Sequence, residues 1–196
     1  MKPFGEIVIN KENRLKHWST GWTAKNQGDS PPIPFFNYVN YFYNKNVLEI
    51  GPGEGRQYAP IKDVVSDYSI ADISPQVLDC PVFKYLDRFL IPNYSVDFKK
   101  KFDLIHFWYV LHHVPSIEAK DFVQFILRHL KDNGIVMFNS PYLGFDEGAY
   151  ADDGVNTTPY SNKDVLDLFL DDFDLVVSDN SLIGNSNGII YIWRKK

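Results

Sequence analysis

The amino-acid sequence predicts a single α/β domain built on a seven-stranded, mostly parallel sheet. Residues 47–50 form a short apolar run that leads directly into a turn with glycines at positions 51, 53 and 55. Such a run is typical of a strand buried on both faces, as the strands of parallel sheets are. Further short apolar runs alternate with amphipathic segments, and 196 residues are one domain's worth.

Composition excludes several classes of protein. No apolar run approaches the roughly 20 residues of a membrane span, and residues 1–10 lack the apolar centre of a signal peptide. The lone Cys80 excludes an intramolecular disulfide framework and favours a reducing cytoplasm. A net charge of −5 argues against a nucleic-acid partner, because phosphate neutralisation requires a basic face. We expect a cytoplasmic monomer or homodimer that binds neither membrane nor nucleic acid.

Periodicity predicts the order of the secondary-structure elements. Amphipathic helices are predicted over residues 34–43, 118–131 and 162–173. Strands are predicted over residues 47–50, 68–72, 82–86, 102–105, 134–139, 175–177 and 188–193, the last two as an antiparallel hairpin. The crossover from the first to the second strand is short and contains Pro60, so its helix is expected to be truncated.

Two segments without periodicity flank the predicted domain core. Residues 1–33 form an irregular arm that carries Trp18 and Trp22. These rings either pack the arm onto the domain, which spans residues 34–196, or make the arm a flap that excludes water from a ligand. Residues 143–161 are acidic and aperiodic, which predicts either a solvated loop or a lid over a binding site.

The glycine-rich turn after the first strand limits the class of ligand. A phosphate-binding P-loop requires a lysine, which this turn lacks, and a dinucleotide fingerprint requires glycine where Arg56 stands. A nicotinamide-dependent oxidoreductase is therefore disfavoured. Glu49 precedes Gly51 by two residues, and an acid entering the turn suits a cationic ligand better than a pyrophosphate.

The segment Glu49-Ile50-Gly51-Pro52-Gly53-Glu54-Gly55 resembles the first motif of class I S-adenosylmethionine (SAM)-dependent methyltransferases. Asp72-Ile73-Ser74-Pro75 is similar to the family's segment after the second strand. Asp72 lies about 20 residues past the first glycine, a spacing that fits a carboxylate bound to ribose hydroxyls. The alternative is that Asp72 caps a short helix that begins near Ser74-Pro75.

The resemblance implies a Rossmann-like domain over about residues 34–196, with an antiparallel last strand and helices on both faces of the sheet. It implies SAM as the cofactor and S-adenosylhomocysteine (SAH) as the product. Asp87 is implied as the adenine contact and Arg88 as a backbone N–H donor. The full set of implied cofactor contacts is Glu49, Gly51, Pro52, Gly53, Gly55, Asp72, Ile73, Asp87, Arg88 and Phe107.

A second strong resemblance lies at the end of the fourth predicted strand. The segment that follows, Val110-Leu111-His112-His113-Val114, is similar to a recurrent segment of small-molecule, type 11-like methyltransferases. His112 and His113 are candidates for a general base, since imidazole titrates near neutral pH. They could also be pocket wall or packing residues, and no further ligands at suitable spacing support a metal site.

The substrate side of the predicted site is carried by aromatic residues. Tyr109 and Tyr142, together with Trp18 and Trp22, are predicted to face the substrate or to form its lid. Residues 139–142 are similar to the N-P-P-Y motif of nucleic-acid amino-methyltransferases, but they follow the fifth strand instead of the fourth.

These features predict a SAM-dependent methyltransferase that acts on an oxygen or nitrogen of a small polar metabolite. A sugar-like compound or a surface-glycan precursor is one such acceptor. The alternatives are a non-catalytic binding or scaffold protein with the same fold, and a protein or RNA methyltransferase.

Overall fold

The computed structural model describes residues 37–141, 158, 160–179 and 188–196. The predicted arm, with Trp18 and Trp22, and the predicted lid residue Tyr142 lie outside the described residues. The described residues contain seven strands: β1 (Asn46–Ile50), β2 (Asp67–Asp72), β3 (Asp87–Leu90), β4 (Phe102–Phe107), β5 (Leu130–Pro141), β6 (Phe173–Asp179) and β7 (Gly188–Lys195).

The strands form one sheet in the order β3-β2-β1-β4-β5-β7-β6. The neighbouring pairs from β3 to β5 are all parallel, whereas β7 runs antiparallel to both β5 and β6. The predicted fold class, with its antiparallel last strand, is therefore confirmed. The chain leaves β1 toward β2 on one side and later returns to β4 on the other side. Ligands bind at such switch points in open parallel sheets.

Helices cover both faces of the sheet. Those in the described part of the chain are α1 (Val39–Phe42), α2 (Pro75–Leu78), α3 (Ser116–His129) and α4 (Asn162–Phe169). Residues of α3 and α4 share a core with Leu48 and Ile105, whereas Phe42 and Leu78 share a second core with Val47 and Leu104. Adjacent strand residues thus face opposite cores, as the pleat requires. No helix in the described part of the chain is both long and apolar enough to span a membrane.

The third strand begins five residues later than its predicted position at 82–86. Pro81 starts a single 3₁₀ turn, Pro81–Phe83, and Phe83 is fully buried within it. The apolar residues in this stretch therefore anchor a turn and do not form a strand. The strand follows at Asp87–Leu90, in parallel register with Ser69 to Asp72 of β2.

Three other boundaries differ from the predictions. Within the described residues, the first predicted helix is a single turn at Val39–Phe42. Helix α3 ends at His129, and β5 begins at once with Leu130, so Asn133 lies inside the strand with a φ of 59°. Helix α4 ends at Phe169, four residues early. Residues 51–66 form a series of turns and contain no α-helix, whereas a truncated helix was expected there.

Phe138 lies at the centre of one core, in the strand between β4 and β7. Its ring stacks on Phe107, Phe169 and Tyr191 with centroid separations of 4.8, 4.9 and 5.3 Å. We expect Phe138→Ala to lower the free energy of unfolding by about 3–5 kcal/mol, because it removes a buried ring and leaves a cavity. Denaturant unfolding measures this change.

The matched control is Tyr85→Ala, since Tyr85 is 89% exposed. Its effect should stay within about 0.5 kcal/mol. Equal unfolding midpoints for the Phe138 and Tyr85 variants would contradict this description of the core.

Candidate active site

A pocket opens at the carboxyl ends of four adjacent strands. Its walls come from the segments that follow β3, β2, β1 and β4, and α3 contributes Phe122. The space is about 920 Å³ including the open mouth. Much of this volume is open solvent at the mouth, and the lining combines apolar side chains with a few polar ones, as is usual for ligand pockets.

The glycine turn after β1 forms the floor of the pocket. Gly51 has a φ of +69°, and a Cβ atom on it would lie 2.5 Å from Cγ2 of Val110. Glycine at this position therefore lets the segments after β1 and β4 approach each other closely. Gly53 also lines the pocket, whereas Gly55, with a φ of +84°, packs against Phe83. The predicted contact Pro52 is buried and is not among the residues that line the pocket.

Asp72 is the last residue of β2 and lines the pocket beside Ile73. Its Oδ1 accepts a hydrogen bond from the backbone N–H of Ser74 at 2.7 Å. Ser74 is the N-cap of α2, and its hydroxyl accepts from the N–H of Val77. The N-cap of this helix is therefore Ser74, whereas the alternative reading of the sequence gave that role to Asp72. A carboxylate accepts several hydrogen bonds, so Asp72 keeps acceptor capacity toward the pocket.

Glu49 lies beneath the pocket and belongs to a buried hydrogen-bonded chain. The hydroxyl of Tyr68 donates to its Oε2 at 2.6 Å and lies 2.9 Å from Nε2 of His106. The indole N–H of Trp108 donates to Nδ1 of His106 at 2.8 Å. Because an indole nitrogen only donates, Nδ1 is the acceptor and the proton of the neutral ring is on Nε2, which donates to Tyr68. We call these four residues the Trp108–Glu49 chain.

Burial sets the protonation of the Trp108–Glu49 chain. It raises the pKa of Glu49 to about 8, an effect that the hydrogen bond from Tyr68 opposes and that the nearby Asp72 increases. It lowers the pKa of His106 to about 3, in agreement with a neutral ring. Burial also raises the pKa of Asp72 to about 7, against the backbone hydrogen bonds of Ser74 and Ile73. A cation in the pocket would favour the ionised form of both acids.

The two candidate histidines occupy different positions in the 3₁₀ turn Leu111–His113. His113 lines the pocket, whereas His112 is not among the lining residues, and the two ring centroids are 4.1 Å apart. The pKa of His112 lies well below its usual value, mainly because the ring is buried and secondly because His113 is close to it. Among the described residues, no group of three potential ligands is close enough to hold a metal ion.

The end of the predicted lid segment reaches this turn. The backbone N–H of Thr158 donates to the carbonyl of His112 at 2.6 Å, and the hydroxyl of Tyr160 donates to the carbonyl of Val114 at 2.8 Å. Both Thr158 and Tyr160 are buried. Residues at the carboxyl end of the 143–161 segment are thus fixed beside the pocket.

Tyr109 lines the pocket in a left-handed conformation with a φ of 57°. Its backbone N–H donates to the side-chain oxygen of Asn139 at 2.7 Å, which stabilises that conformation from the neighbouring strand β5. Sequence analysis assigned no role to Trp108 or Asn139. Their position at the carboxyl ends of predicted parallel strands was the feature of the sequence that could have identified them as residues near the site.

Three further predicted cofactor contacts are not among the residues that line the pocket. Asp87 is the first residue of β3, so it lies at the amino ends of the parallel strands, away from the pocket. Its carboxylate is ion-paired with Lys100 at 2.7 Å. The guanidinium of Arg88 donates to the carbonyl of Leu78, and Phe107 is fully buried in the core. Because β3 starts later than predicted, residues 91–94 and not Asp87 follow its carboxyl end and line the pocket.

The chain and its fold have counterparts among known proteins. Residues 33–167 match the family described as a methyltransferase domain, which is more than half of the chain. The chain belongs to this family. The predicted resemblance to class I methyltransferases is thus confirmed at the level of family and fold. No curated protein matches this methyltransferase.

Solved structures share the fold at low sequence identity. The N-methyltransferase NodS from Bradyrhizobium japonicum WM9, in complex with SAH, is 14% identical, covering 95% of this chain and 98% of that one, with a TM-score of 0.65. A SAM-dependent methyltransferase from Clostridium acetobutylicum ATCC 824 is 14% identical, covering 95% and 99%, with a TM-score of 0.64. Magnesium protoporphyrin IX methyltransferase from Synechocystis PCC 6803, with bound SAM, is 14% identical, covering 83% and 74%, with a TM-score of 0.60.

The raised pKa of Glu49 predicts how the stability of the ligand-free methyltransferase depends on pH. Between the ordinary pKa of 4.5 and the folded value of about 8, the folded chain holds a proton that the unfolded chain has released. The free energy of unfolding should therefore fall as the pH rises through this window, by more than about 1 kcal/mol.

Denaturant unfolding of the native protein and of Glu49→Gln at pH 5, 6.5 and 8 measures this effect. The glutamine can still accept the hydrogen bond of Tyr68 but does not ionise, so its pH dependence should be flatter. Parallel curves for the two proteins would contradict the assignment to Glu49.

Proposed function

We propose that this methyltransferase binds SAM in the pocket and transfers its methyl group to an oxygen or nitrogen of a small polar acceptor. The observation that carries the proposal is the meeting of the Asp72 carboxylate and the Gly51 turn in one pocket at the switch point of the sheet. NodS and the protoporphyrin enzyme were solved with SAH and SAM, which supports this cofactor.

The residues of the pocket fit the parts of SAM in order. Asp72 offers a carboxylate to the ribose hydroxyls. Apolar side chains on the β3 side, from Ile73, Val77 and Ile91, suit the adenine ring. Asn93, which follows β3 and lines the pocket, takes the place that was predicted for Asp87 as a polar contact. Glu49, beneath the turn, favours a cationic methionine end over a pyrophosphate.

When bound, SAM would supply a methyl group carried on a sulfonium sulfur. The leaving group is a neutral thioether, so no acid is needed to protonate it. The protein's own contribution is to hold the acceptor atom in line with that methyl group and to exclude water. His113 lines the pocket and can take a proton from an acceptor hydroxyl or ammonium group. Tyr109 borders the same space, so we place the acceptor on the β4 side.

The class of acceptor is the finer part of the proposal. The neighbours include an N-methyltransferase and an enzyme named for a porphyrin, so the shared fold leaves the acceptor open. We propose a small polar metabolite, with a sugar-like compound or a surface-glycan precursor as one class to screen. A cytoplasmic monomer or homodimer remains our expectation, as do roles for Trp18, Trp22 and Tyr142 in covering the substrate.

Two aspartates provide a matched test of the cofactor site. Asp72→Ala should weaken SAH binding by about 1–3 kcal/mol, because it removes hydrogen bonds to a charged acceptor. Asp87→Ala should leave the affinity for SAH unchanged, because Asp87 lies at the amino end of β3, away from the pocket, where it pairs with Lys100. Calorimetric titration of each variant with SAH measures both, and NAD serves as the ligand that should not bind.

An affinity that Asp72→Ala leaves unchanged, or that Asp87→Ala lowers, would overturn this placement of the ribose. Binding of NAD in place of SAH would overturn the proposed cofactor itself.

The histidine turn predicts a difference between two neighbouring residues. With an acceptor found by screening, His113→Gln should lower kcat about 10²–10⁴-fold if the acceptor must lose a proton in the reaction. His112→Gln is the matched control and should lower kcat far less, since His112 does not line the pocket. SAH formation measures turnover, and calorimetry should show that both variants keep their affinity for SAH. An equal loss of kcat in both variants would indicate that the histidines act through packing and that His113 is not a general base.

A further inference from the structure

Trp108 lines the pocket, and the one polar atom of its side chain is bound in the core. The residue follows β4, lines the pocket and is only 5% exposed. Its N–H is directed away, toward Nδ1 of His106 in the core beneath. Because the one polar atom of the indole is bound there, the surface that faces a ligand is carbon of an aromatic ring.

The Trp108–Glu49 chain holds this ring in one orientation. Rotation of the indole would leave Nδ1 of His106 as a buried acceptor without its donor, which is unfavourable. The imidazole is itself held by Tyr68 at Nε2 and by the edge of the Phe42 ring, 5.3 Å away between centroids. Tyr68 is held in turn by Glu49. The chain joins β2, β1 and β4, the three central strands beneath the pocket.

The order of groups in SAM places its sulfonium near this ring, an argument that rests on the proposed function. With the ribose at Asp72 and adenine toward β3, the sulfur comes next along the molecule, on the side of β1 and β4. Trp108, Tyr109 and Val110 form the wall on that side. Among aromatic side chains, Trp attracts a cation over its face most strongly.

We propose that Trp108 determines the preference of this pocket for SAM over SAH, and that His106 and Tyr68 are positioning residues that hold its indole against the sulfonium. SAM and SAH differ at the sulfur, which is cationic in the first and neutral in the second. An aromatic wall that attracts a cation therefore favours the substrate over the product. Such a preference limits product inhibition without any contact to the methyl acceptor.

The ratio of the two affinities isolates this effect from general damage to the fold. Both ligands are titrated calorimetrically into the same preparation, so the active fraction cancels in the ratio. Asp72 and Glu49 also attract a cation, but both stay in place in the variants below. A residue with only a structural role would weaken SAM and SAH equally.

Trp108→Leu should lower the SAM-to-SAH affinity ratio about 3- to 30-fold, while the affinity for SAH changes by less than about 3-fold. Tyr94→Leu is the matched control, because Tyr94 is an aromatic lining residue on the β3 side and should leave the ratio unchanged. Trp108→Phe keeps an aromatic face without the N–H, and should lower the ratio by a smaller factor. It provides the test if the leucine variant does not fold.

The positioning role is tested at His106. His106→Leu removes the acceptor for the indole and should lower the ratio, whereas His106→Asn keeps an acceptor oxygen and should restore most of it. Native protein that fails to bind SAH would overturn the proposed function. Native protein that binds SAH, with an unchanged ratio in Trp108→Leu and Trp108→Phe, would overturn this inference alone.

Discussion

The close approach of two loops above the centre of the sheet is the constraint on which the site depends. β1 and β4 are neighbours, and the turns that leave them meet where Gly51 faces Val110. A side chain at Gly51 would need the space that Val110 occupies, so the floor of the pocket exists only with a glycine in a left-handed conformation. Trp108, Tyr109 and His113 belong to the same segment as Val110, and all three line the pocket.

The sequence was most informative where a residue's role depends on its immediate neighbours. The glycine turn, Asp72 at the end of its strand, and the succession of seven strands along the chain were all predicted from local patterns. The third strand was misplaced because Val82 to Leu86 reads as an apolar strand, whereas the buried ring of Phe83 uses that apolar character to anchor a turn. As a result, Asp87 was expected after the third strand, whereas it is the first residue of β3.

Contacts that join distant strands could not be predicted in the same way. Asn139 binds the backbone of Tyr109 across 30 residues of sequence, and the chain from Trp108 to Glu49 crosses three strands. Neither leaves a periodic or local signal, since each depends on which strands are adjacent and on their register. The two histidines show the same limit, because nothing in the pair indicates that only His113 faces the pocket.

The protonation of Glu49 gives the pocket a way to accept a cation without burying an excess charge. In the ligand-free protein the carboxyl group is largely neutral near pH 7, because burial disfavours its ionised form. With SAM bound as proposed, its cationic end would favour release of this proton, so one positive charge leaves the interior as another enters. The core beneath the glycine turn is then close to electrically neutral both before and after binding. Cofactor binding is then an exchange of cations, in which a proton leaves for water as SAM enters. The hydrogen bond from Tyr68 stabilises the Glu49 carboxylate that this exchange produces.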